Sequence, residues 1–178
     1  MTRENLQIRR ATSEDAAELA RLRYGFRTER RLPTEAAPAF IGRCHAWMSA
    51  RLAPDAAWRC WVAAVRSELV GTLWLQLIEK LPNPADEREL HGYISSVYVV
   101  PSRRNAGIGT ALLTACLGEC DAWGLDALFL WSTPDSRRLY QRHGFALRDD
   151  LLDRRLQGGP GPGIENGERK LPFTVDHS

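Results

Sequence analysis

Residues 97–110 read VYVVPSRRNAGIGT. The β-branched and aromatic residues at the start of this stretch predict a strand that Pro101 ends, and the apolar spacing that follows predicts a helix beginning at Ile108. Gly107 and Gly109 therefore lie at a helix start, where the first N–H groups have no partner within the helix. Because the helix dipole also places partial positive charge there, the segment predicts a binding site for an anion such as a pyrophosphate.

The glycines and their neighbours show which kinds of anion-binding motif the segment can be. A Cβ atom at either position would hold phosphates away from the backbone, and Arg104 adds positive charge nearby. The segment lacks the third glycine of a dinucleotide-binding fingerprint and the G-K-[ST] of a P-loop. The segment is therefore neither a dinucleotide-binding fingerprint nor a P-loop.

Outward from this segment, apolar periodicity predicts the order β-α-α-β-β-β-α-β-α-β within one domain, residues 1–156. Thr12 and Asp15 form a predicted capping box before the first helix. The order predicts a mixed α/β fold with a largely antiparallel central sheet flanked by helices. The predicted strands cover residues 6–9, 58–65, 69–78, 93–100 and 125–131, with a last strand from residues 145–147 and 151–156, and the predicted helices cover 16–26, 40–52, 108–123 and 135–143. A Gly/Pro-rich run predicts a C-terminal tail, residues 157–178, without regular structure.

Composition excludes several classes of protein. The chain has 178 residues, 44% of them hydrophobic and 26% charged, which is typical of a globular domain. A net charge of +2 gives no field for nucleic acid, so no nucleic-acid partner is expected. The chain lacks a signal peptide and any apolar run of the ~18 residues that a membrane span needs, so we expect a cytoplasmic protein with no membrane partner. The four cysteines form no C-x-x-C pair and are predicted to be reduced core thiols, without a metal site.

Two motifs resemble one family. Arg104, Gly107 and Gly109 match the acyl-CoA motif [Q/R]-x-x-G-x-[G/A] of the GNAT N-acetyltransferase superfamily, and residues 139–145 are similar to its L-Y-x-x-x-G-F segment. The resemblance implies the GNAT fold, acetyl-CoA as co-substrate and transfer of the acetyl group to a primary amine. It also suggests pairing into a homodimer.

The same resemblance implies which residues contact acetyl-CoA. The strand before the loop would bind the pantetheine arm through exposed backbone groups, and the loop would bind the pyrophosphate. Thr133 stands where many relatives carry an asparagine that reaches the pantetheine. The implied contact residues are Val97, Tyr98, Val99, Arg104, Asn105, Ala106, Gly107, Ile108, Gly109, Thr110 and Thr133.

Tyr140 is the expected catalytic residue, because matching tyrosines in the superfamily protonate the departing thiolate, and a phenol is protonated at neutral pH. Relatives carry a Glu or His base on the strand before the pantetheine contact, where this chain has Tyr93, Ile94, Ser95 and Ser96. Three routes stay open for the base: a water held by Ser95, Glu29, or His91. Glu29, His91, Tyr93 and Ser95 are thus candidate substrate residues, and Trp47, Trp74 or Trp131 could line the acceptor pocket.

The absent strand carboxylate keeps a second function open, that of a non-catalytic acyl-CoA sensor. A third is a toxin-like enzyme that acetylates aminoacyl-tRNA, which the near-zero net charge disfavours. We expect the acceptor to be a small molecule or a peptide amine, but no motif in the sequence identifies it.

Overall fold

The computed structural model describes residues 5–29 and 31–154. They form a five-stranded sheet whose strands lie in chain order, with helices on both faces. The elements are β1 (Leu6–Arg10), α1 (Ala16–Thr28), α2 (Ala37–Arg51), β2 (Trp58–Val65), β3 (Glu68–Glu79), β4 (Leu90–Val99), α3 (Ile108–Trp123), β5 (Ala127–Phe129) and α4 (Pro134–Gln141). Strands β1 to β4 pair antiparallel, and β5 joins β4 in parallel after the crossover through α3. The predicted mixed, largely antiparallel fold is confirmed.

Alternation along β2 assigns the two faces of the sheet. Trp61 and Ala63 belong to the apolar cluster that contains α3, whereas Cys60 and Val62 belong to the cluster that contains α1 and α2. Successive side chains of a strand point to opposite faces, so each face is covered by its own helices. Both clusters contain side chains with exposures of 0–1%, which is why the central strands are almost continuously apolar.

Local signals set the helix ends where the sequence places them. The Asp15 carboxylate accepts a hydrogen bond of 2.8 Å from the backbone N–H of Thr12, as the predicted capping box requires. Asp15 also pairs with Arg9 at 2.8 Å, and this hydrogen bond is the main cause that lowers the pKa of the carboxyl group. Gly124 ends α3 in the left-handed conformation, with φ of 67°. The cysteines are free thiols, and Cys60, Cys116 and Cys120 are buried, as predicted.

The C-terminal strands were wrongly predicted. The strand expected over residues 125–131 is only Ala127–Phe129 and is partly buried, because it lies at the edge of the described sheet. Residues 145–154 form no strand; Leu147 is 70% exposed, and Arg148 pairs with Asp150 instead of entering a sheet. Apolar runs this short do not define a strand without a partner to pack against. Residues 155–156 and the predicted tail, residues 157–178, lie outside the described residues.

A bulge interrupts β4 next to its point of divergence from β5. Tyr98 pairs with Thr72 and Ser95 pairs with Trp74, so Ser96 and Val97 together lie opposite a single residue of β3. Ser96 has φ of 53°, which is uncommon for a residue other than glycine. Bulges and such conformations concentrate near functional sites, and this one points to the centre of β4.

Gly92 leaves no space for a larger residue. A Cβ atom there would lie 2.4 Å from Leu128 Cδ2 and 2.9 Å from Leu75 Cδ1. We expect Gly92→Ala to lower the free energy of unfolding by about 1–3 kcal/mol through overpacking, measured by urea denaturation. Gly118→Ala is the control, because no atom lies within 4 Å of its added Cβ and alanine favours a helix. Equal stability of the two variants would contradict the prediction.

Candidate active site

The parallel strands β4 and β5 separate after a short contact. Their pairing runs from His91 with Ala127 to Tyr93 with Phe129, and β4 then continues to Val99 with β3 as its only partner strand among the described residues. The β5 side of this stretch therefore presents backbone groups that no strand pairs. Unpaired backbone groups at a strand edge can bind an extended ligand by hydrogen bonding, as an added strand would.

The predicted pantetheine-contact residues lie on this unpaired stretch. Val97 and Val99 pack their side chains against the α3 cluster, while the ring of Tyr98 packs 5.1 Å from that of Phe26 on the other face. Their side chains thus fix the strand to both layers. The backbone groups of this stretch remain the predicted ligand contacts.

The loop after β4 ends in an uncapped helix start. Gly107 is the N-cap of α3 with φ of 79°, and no side chain caps the helix. Asn105 is also left-handed, with φ of 62°, so the chain turns sharply twice within three residues. Ile108 is 4% exposed and anchors the helix in the core, while Gly109 and Thr110 continue its first turn. The sequence predicts an anion site at the first N–H groups of α3.

Arg104 does not extend freely over this loop. Its Nη2 donates to both carboxylate oxygens of Glu29, at 2.8 and 2.7 Å, and its Nε donates to the Val99 carbonyl at 3.0 Å. The Tyr98 hydroxyl donates to the same Glu29 carboxylate at 2.7 Å. Burial and the Glu29 carboxylate together raise the pKa of Tyr98 to about 12. Glu29 is thus engaged at the end of α1.

Thr133 and Tyr140 lie at opposite ends of α4. Thr133 is its N-cap: its hydroxyl accepts from the Ser136 backbone N–H at 3.3 Å, and its own N–H donates to the Ser136 hydroxyl at 2.9 Å. Tyr140 is 7% exposed, belongs to the α3 cluster that also contacts Val97, and has a pKa that burial raises to about 12. The phenol therefore stays protonated at neutral pH.

The candidate base residues are not brought to one place. His91 lies at the start of β4, about 13 Å of strand from Ser95. Tyr93 stacks on Phe129 at 5.4 Å, and burial raises its pKa. Ser95 alone of the four candidates lines the cavity described next. Glu29 binds Arg104, as shown above.

A cavity of about 340 Å³ lies between α1, α2 and the sheet, at the bulge of β4. Because of the bulge, the consecutive residues Ser95 and Ser96 both line it. Trp47 and Trp74, two of the predicted pocket residues, also line it, whereas Trp131 packs against Tyr93 at 5.0 Å instead. The remaining lining side chains are Arg23, Phe40, Arg43, Cys44, Met48 and Trp58.

Sequence reasoning missed Arg23 and Ser96. Arg23 follows Leu19 by four residues on the buried stripe of α1, and its Nη1 donates to the Ser96 hydroxyl at 2.8 Å. An arginine on an apolar stripe was a signal that could have identified it. The position of Ser96 depends on the bulge, which the sequence does not indicate.

Comparison with known proteins agrees with this geometry. The sequence model of the acetyltransferase (GNAT) family matches residues 20–145. Because this match spans more than half of the chain, the chain belongs to the acetyltransferase (GNAT) family. The sequence-based expectations of family, fold and enzyme class are confirmed. Among curated proteins, none matches this chain in sequence.

Solved structures show the same fold. A predicted acetyltransferase from Clostridium acetobutylicum, solved with acetyl-CoA, has a TM-score of 0.71 at 20% identity, covering 84% of this chain and 96% of that one. A GCN5-related N-acetyltransferase from Ralstonia eutropha has a TM-score of 0.69 at 26% identity, covering 85% and 99%. A ribosomal-protein-alanine N-acetyltransferase from Brucella melitensis has a TM-score of 0.63 at 22% identity, covering 85% and 99%. The expected co-substrate, acetyl-CoA, agrees with these comparisons.

Two other properties concern the described residues as a whole. Residues 5–29 and 31–154 contain no group of three or more His, Cys, Asp or Glu side chains that could hold a metal ion. None of their helices combines the length and the apolar character that crossing a membrane would take.

The contact between Glu29 and Tyr98 can be tested by titration. We expect Glu29→Gln to lower the pKa of Tyr98 from about 12, because the variant removes a carboxylate that favours the neutral phenol while the Arg104 charge remains. Ultraviolet absorbance of tyrosinate against pH measures this shift. Glu35→Gln is the matched control, since Glu35 pairs with Arg43 instead. An identical titration of the two variants would contradict the assignment.

Proposed function

We propose that the protein transfers the acetyl group of acetyl-CoA to a primary amine by direct attack. One observation carries the proposal: the unpaired edge of β4 leads within one short loop to the uncapped start of α3. The unpaired strand edge can hydrogen-bond the amide groups of a pantetheine arm, and the helix start can bind a pyrophosphate. Acetyl-CoA supplies the acetyl group as a thioester.

The backbone provides most of the donor site in this proposal. Val97, Tyr98 and Val99 hold the pantetheine arm, and the N–H groups of residues 105–110 hold the pyrophosphate. Glycine at 107 permits this, because its φ of 79° is strained for any residue with a Cβ. Arg104 already has a carboxylate partner in Glu29, so the helix start supplies the principal anion donors and Arg104 supports them. Thr133, the N-cap of α4, keeps its predicted contact with the pantetheine in this proposal.

Tyr140 is proposed as the general acid. Its pKa of about 12 keeps the phenol protonated, so that it can donate a proton to the sulfur that leaves the acetyl group. Its ring packs edge-on against Phe145 at 5.9 Å, which limits its rotation. The side chain thus holds its proton at a fixed place beside the cluster that contains Val97.

The proton of the attacking amine leaves by way of water at Ser95 in this proposal. Ser95 lines the cavity beside the bulge, whereas Glu29 is bound to Arg104 and His91 lies farther back on β4. A serine hydroxyl can both donate to and accept from such a water. Tyr93 borders the same face of β4 as a neutral phenol.

The alternative of a non-catalytic acyl-CoA sensor would use the same binding groups without transfer. The names of the structural neighbours range from ribosomal-protein-alanine to aminoglycoside acetyltransferases, so the fold alone does not define the acceptor. Cytoplasmic location, a homodimer and a single domain over residues 1–156 stay predictions.

Release of free thiol from acetyl-CoA over a broad panel of amines tests the function. We expect Tyr140→Phe to lower kcat by about 100-fold or more, because the variant removes the acid but keeps the ring, and to leave the acetyl-CoA Kd within about twofold. Tyr24→Phe, which removes a hydroxyl from α1, is the control. Acetyl-CoA binding without thiol release from any amine would support the sensor and overturn the proposal.

The pH profile tests the acid separately. A group with a pKa of about 12 loses little of its proton below pH ~11, so Tyr140 should impose no falling limb on kcat up to that pH. Initial rates in overlapping buffers at saturating substrate measure this. A falling limb near pH ~9 that Tyr140→Phe removes would contradict the assigned pKa.

A further inference from the structure

The cavity beside the β4 bulge has one strongly apolar wall. Trp47, Trp58 and Trp74 form a cluster with ring centroids 5.2, 5.8 and 6.2 Å apart. Trp74 is 3% exposed at the base, and Trp47 is 38% exposed at the rim. Aromatic side chains that line a cavity at this density favour an apolar group of similar shape.

The opposite wall carries a guanidinium group without a carboxylate partner. Arg23 donates to the Ser96 hydroxyl at 2.8 Å and stacks 5.6 Å from the ring of Phe26. Among residues 5–29 and 31–154, no Asp or Glu forms an ion pair with it, and the like charge of Arg27 acts on it. Burial lowers the pKa of Arg23, as expected for a charge that is partly removed from water. A guanidinium group has five N–H donors, and a desolvated cation is stabilised by an anion.

The second arginine of the cavity has its charge balanced by a carboxylate. Arg43 is exposed at the rim, where it pairs with Glu35 at 2.6 Å and lies 5.3 Å from the Phe40 ring. The uncompensated charge of the cavity is therefore that of Arg23, which repels a ligand with additional positive charges. Polycationic acceptors are disfavoured for this reason.

The position of Arg23 limits the distance between an anionic group and the amine of the acceptor. Ser96 belongs to the bulge of β4 and follows Ser95, where the proposed function places the water that takes the proton of the amine. Because Arg23 binds the side chain of Ser96, an anion at its guanidinium group and an amine at that water would lie near each other in the acceptor. An α-amino acid has this spacing, with one carbon between the two groups. A volume of about 340 Å³ is at the small end of ligand sites, which suits a single amino acid better than a polypeptide.

We infer that the acceptor is a free α-amino acid with an apolar side chain, its carboxylate bound by Arg23 and its side chain packed against Trp47, Trp58 and Trp74. The inference rests on the proposed function. In the reaction the amine nitrogen forms the new bond to the acetyl carbon while the carbon–sulfur bond breaks. One proton leaves the nitrogen and one joins the sulfur, giving the N-acetyl amino acid and free coenzyme A.

The first test compares acceptors that differ by one group. L-phenylalanine is compared with 2-phenylethylamine, which lacks the carboxylate, with glycine, which lacks the side chain, and with kanamycin, which is polycationic. We expect kcat/KM for L-phenylalanine to exceed that for each of the others by roughly 10-fold or more, the range of a hydrogen bond to a charged group or of a buried side chain. An amine without a carboxylate that reacts as well as L-phenylalanine overturns the inference, while the proposed function stands.

The second test uses variants of α1. Arg23→Gln should lower the ratio of kcat/KM for L-phenylalanine to that for 2-phenylethylamine by roughly 10- to 100-fold, mainly through KM, and Arg23→Lys should restore part of it. Arg21→Gln is the matched control, because Arg21 is exposed on the same helix. Thermal unfolding confirms that each variant is folded. An unchanged ratio in folded Arg23→Gln overturns the inference.

A binding measurement separates the two proposals. Tryptophan fluorescence should change on titration with L-phenylalanine in the wild-type chain, and the affinity should fall roughly 10- to 100-fold in Arg23→Gln. A fluorescence change without thiol release from any amine would overturn the proposed function but support the amino-acid site. Thiol release from other amines without any response to L-phenylalanine would overturn the amino-acid site alone.

Discussion

The short parallel contact between β4 and β5 is the constraint on which the rest of the site depends. The strands pair over residues 91–93 and 127–129 and then part, so the second half of β4 has a partner on one side only. The bulge at Ser96 follows just beyond the point of separation and turns two consecutive serines into the cavity. The same stretch of backbone therefore borders a groove on its edge and a pocket on its face. Direct transfer between two substrates needs two openings that meet at one place.

The arginine at the loop and the arginine in the cavity differ in how their charge is compensated. At the loop, Glu29 partners both Arg104 and the Tyr98 hydroxyl, and the ion pair remains partly exposed, with 43% and 23% of the two side chains accessible. In the cavity, Arg23 is bound by a neutral hydroxyl instead. An exposed ion pair contributes little to stability, whereas a partly buried cation without a counter-ion raises the free energy of the empty site. The charge of Arg23 is therefore a stronger reason to bind an anion than the charge of Arg104.

The parts of the molecule that the sequence predicted are those defined by near neighbours. The run from Val97 to Pro101, the glycines at 107 and 109, and the capping pair of Thr12 and Asp15 act within a few residues, and each has its predicted place. The C-terminal strands were not predictable in this way. Residues 145–147 have the apolar character of a strand, but strand formation depends on a neighbouring strand that the described residues do not supply.

The polar residues of the cavity were missed for a related reason. Arg23 and Ser96 are 73 residues apart in the chain, and Glu29 and Arg104 are 75 apart, so neither contact leaves a local pattern. Glu29 was considered as a base because carboxylates serve that role in relatives, yet its partners place it at the loop. Trp47 and Trp74 were predicted to line the pocket from their residue type alone. Trp58 also lines it, because α2 packs on the sheet and brings Trp47 against Trp58.

The two outer strands of the described sheet have a consequence for behaviour in solution. β1 has five residues and ends in Arg9 and Arg10, and β5 has three. An edge strand can recruit another chain only along its unpaired length, and charged residues hinder such pairing. Both edge strands of the described sheet therefore offer little unpaired backbone for edge-to-edge aggregation of the folded domain. Self-association at high concentration would depend instead on isolated apolar side chains such as Leu32, 93% exposed, and Leu152, 94% exposed.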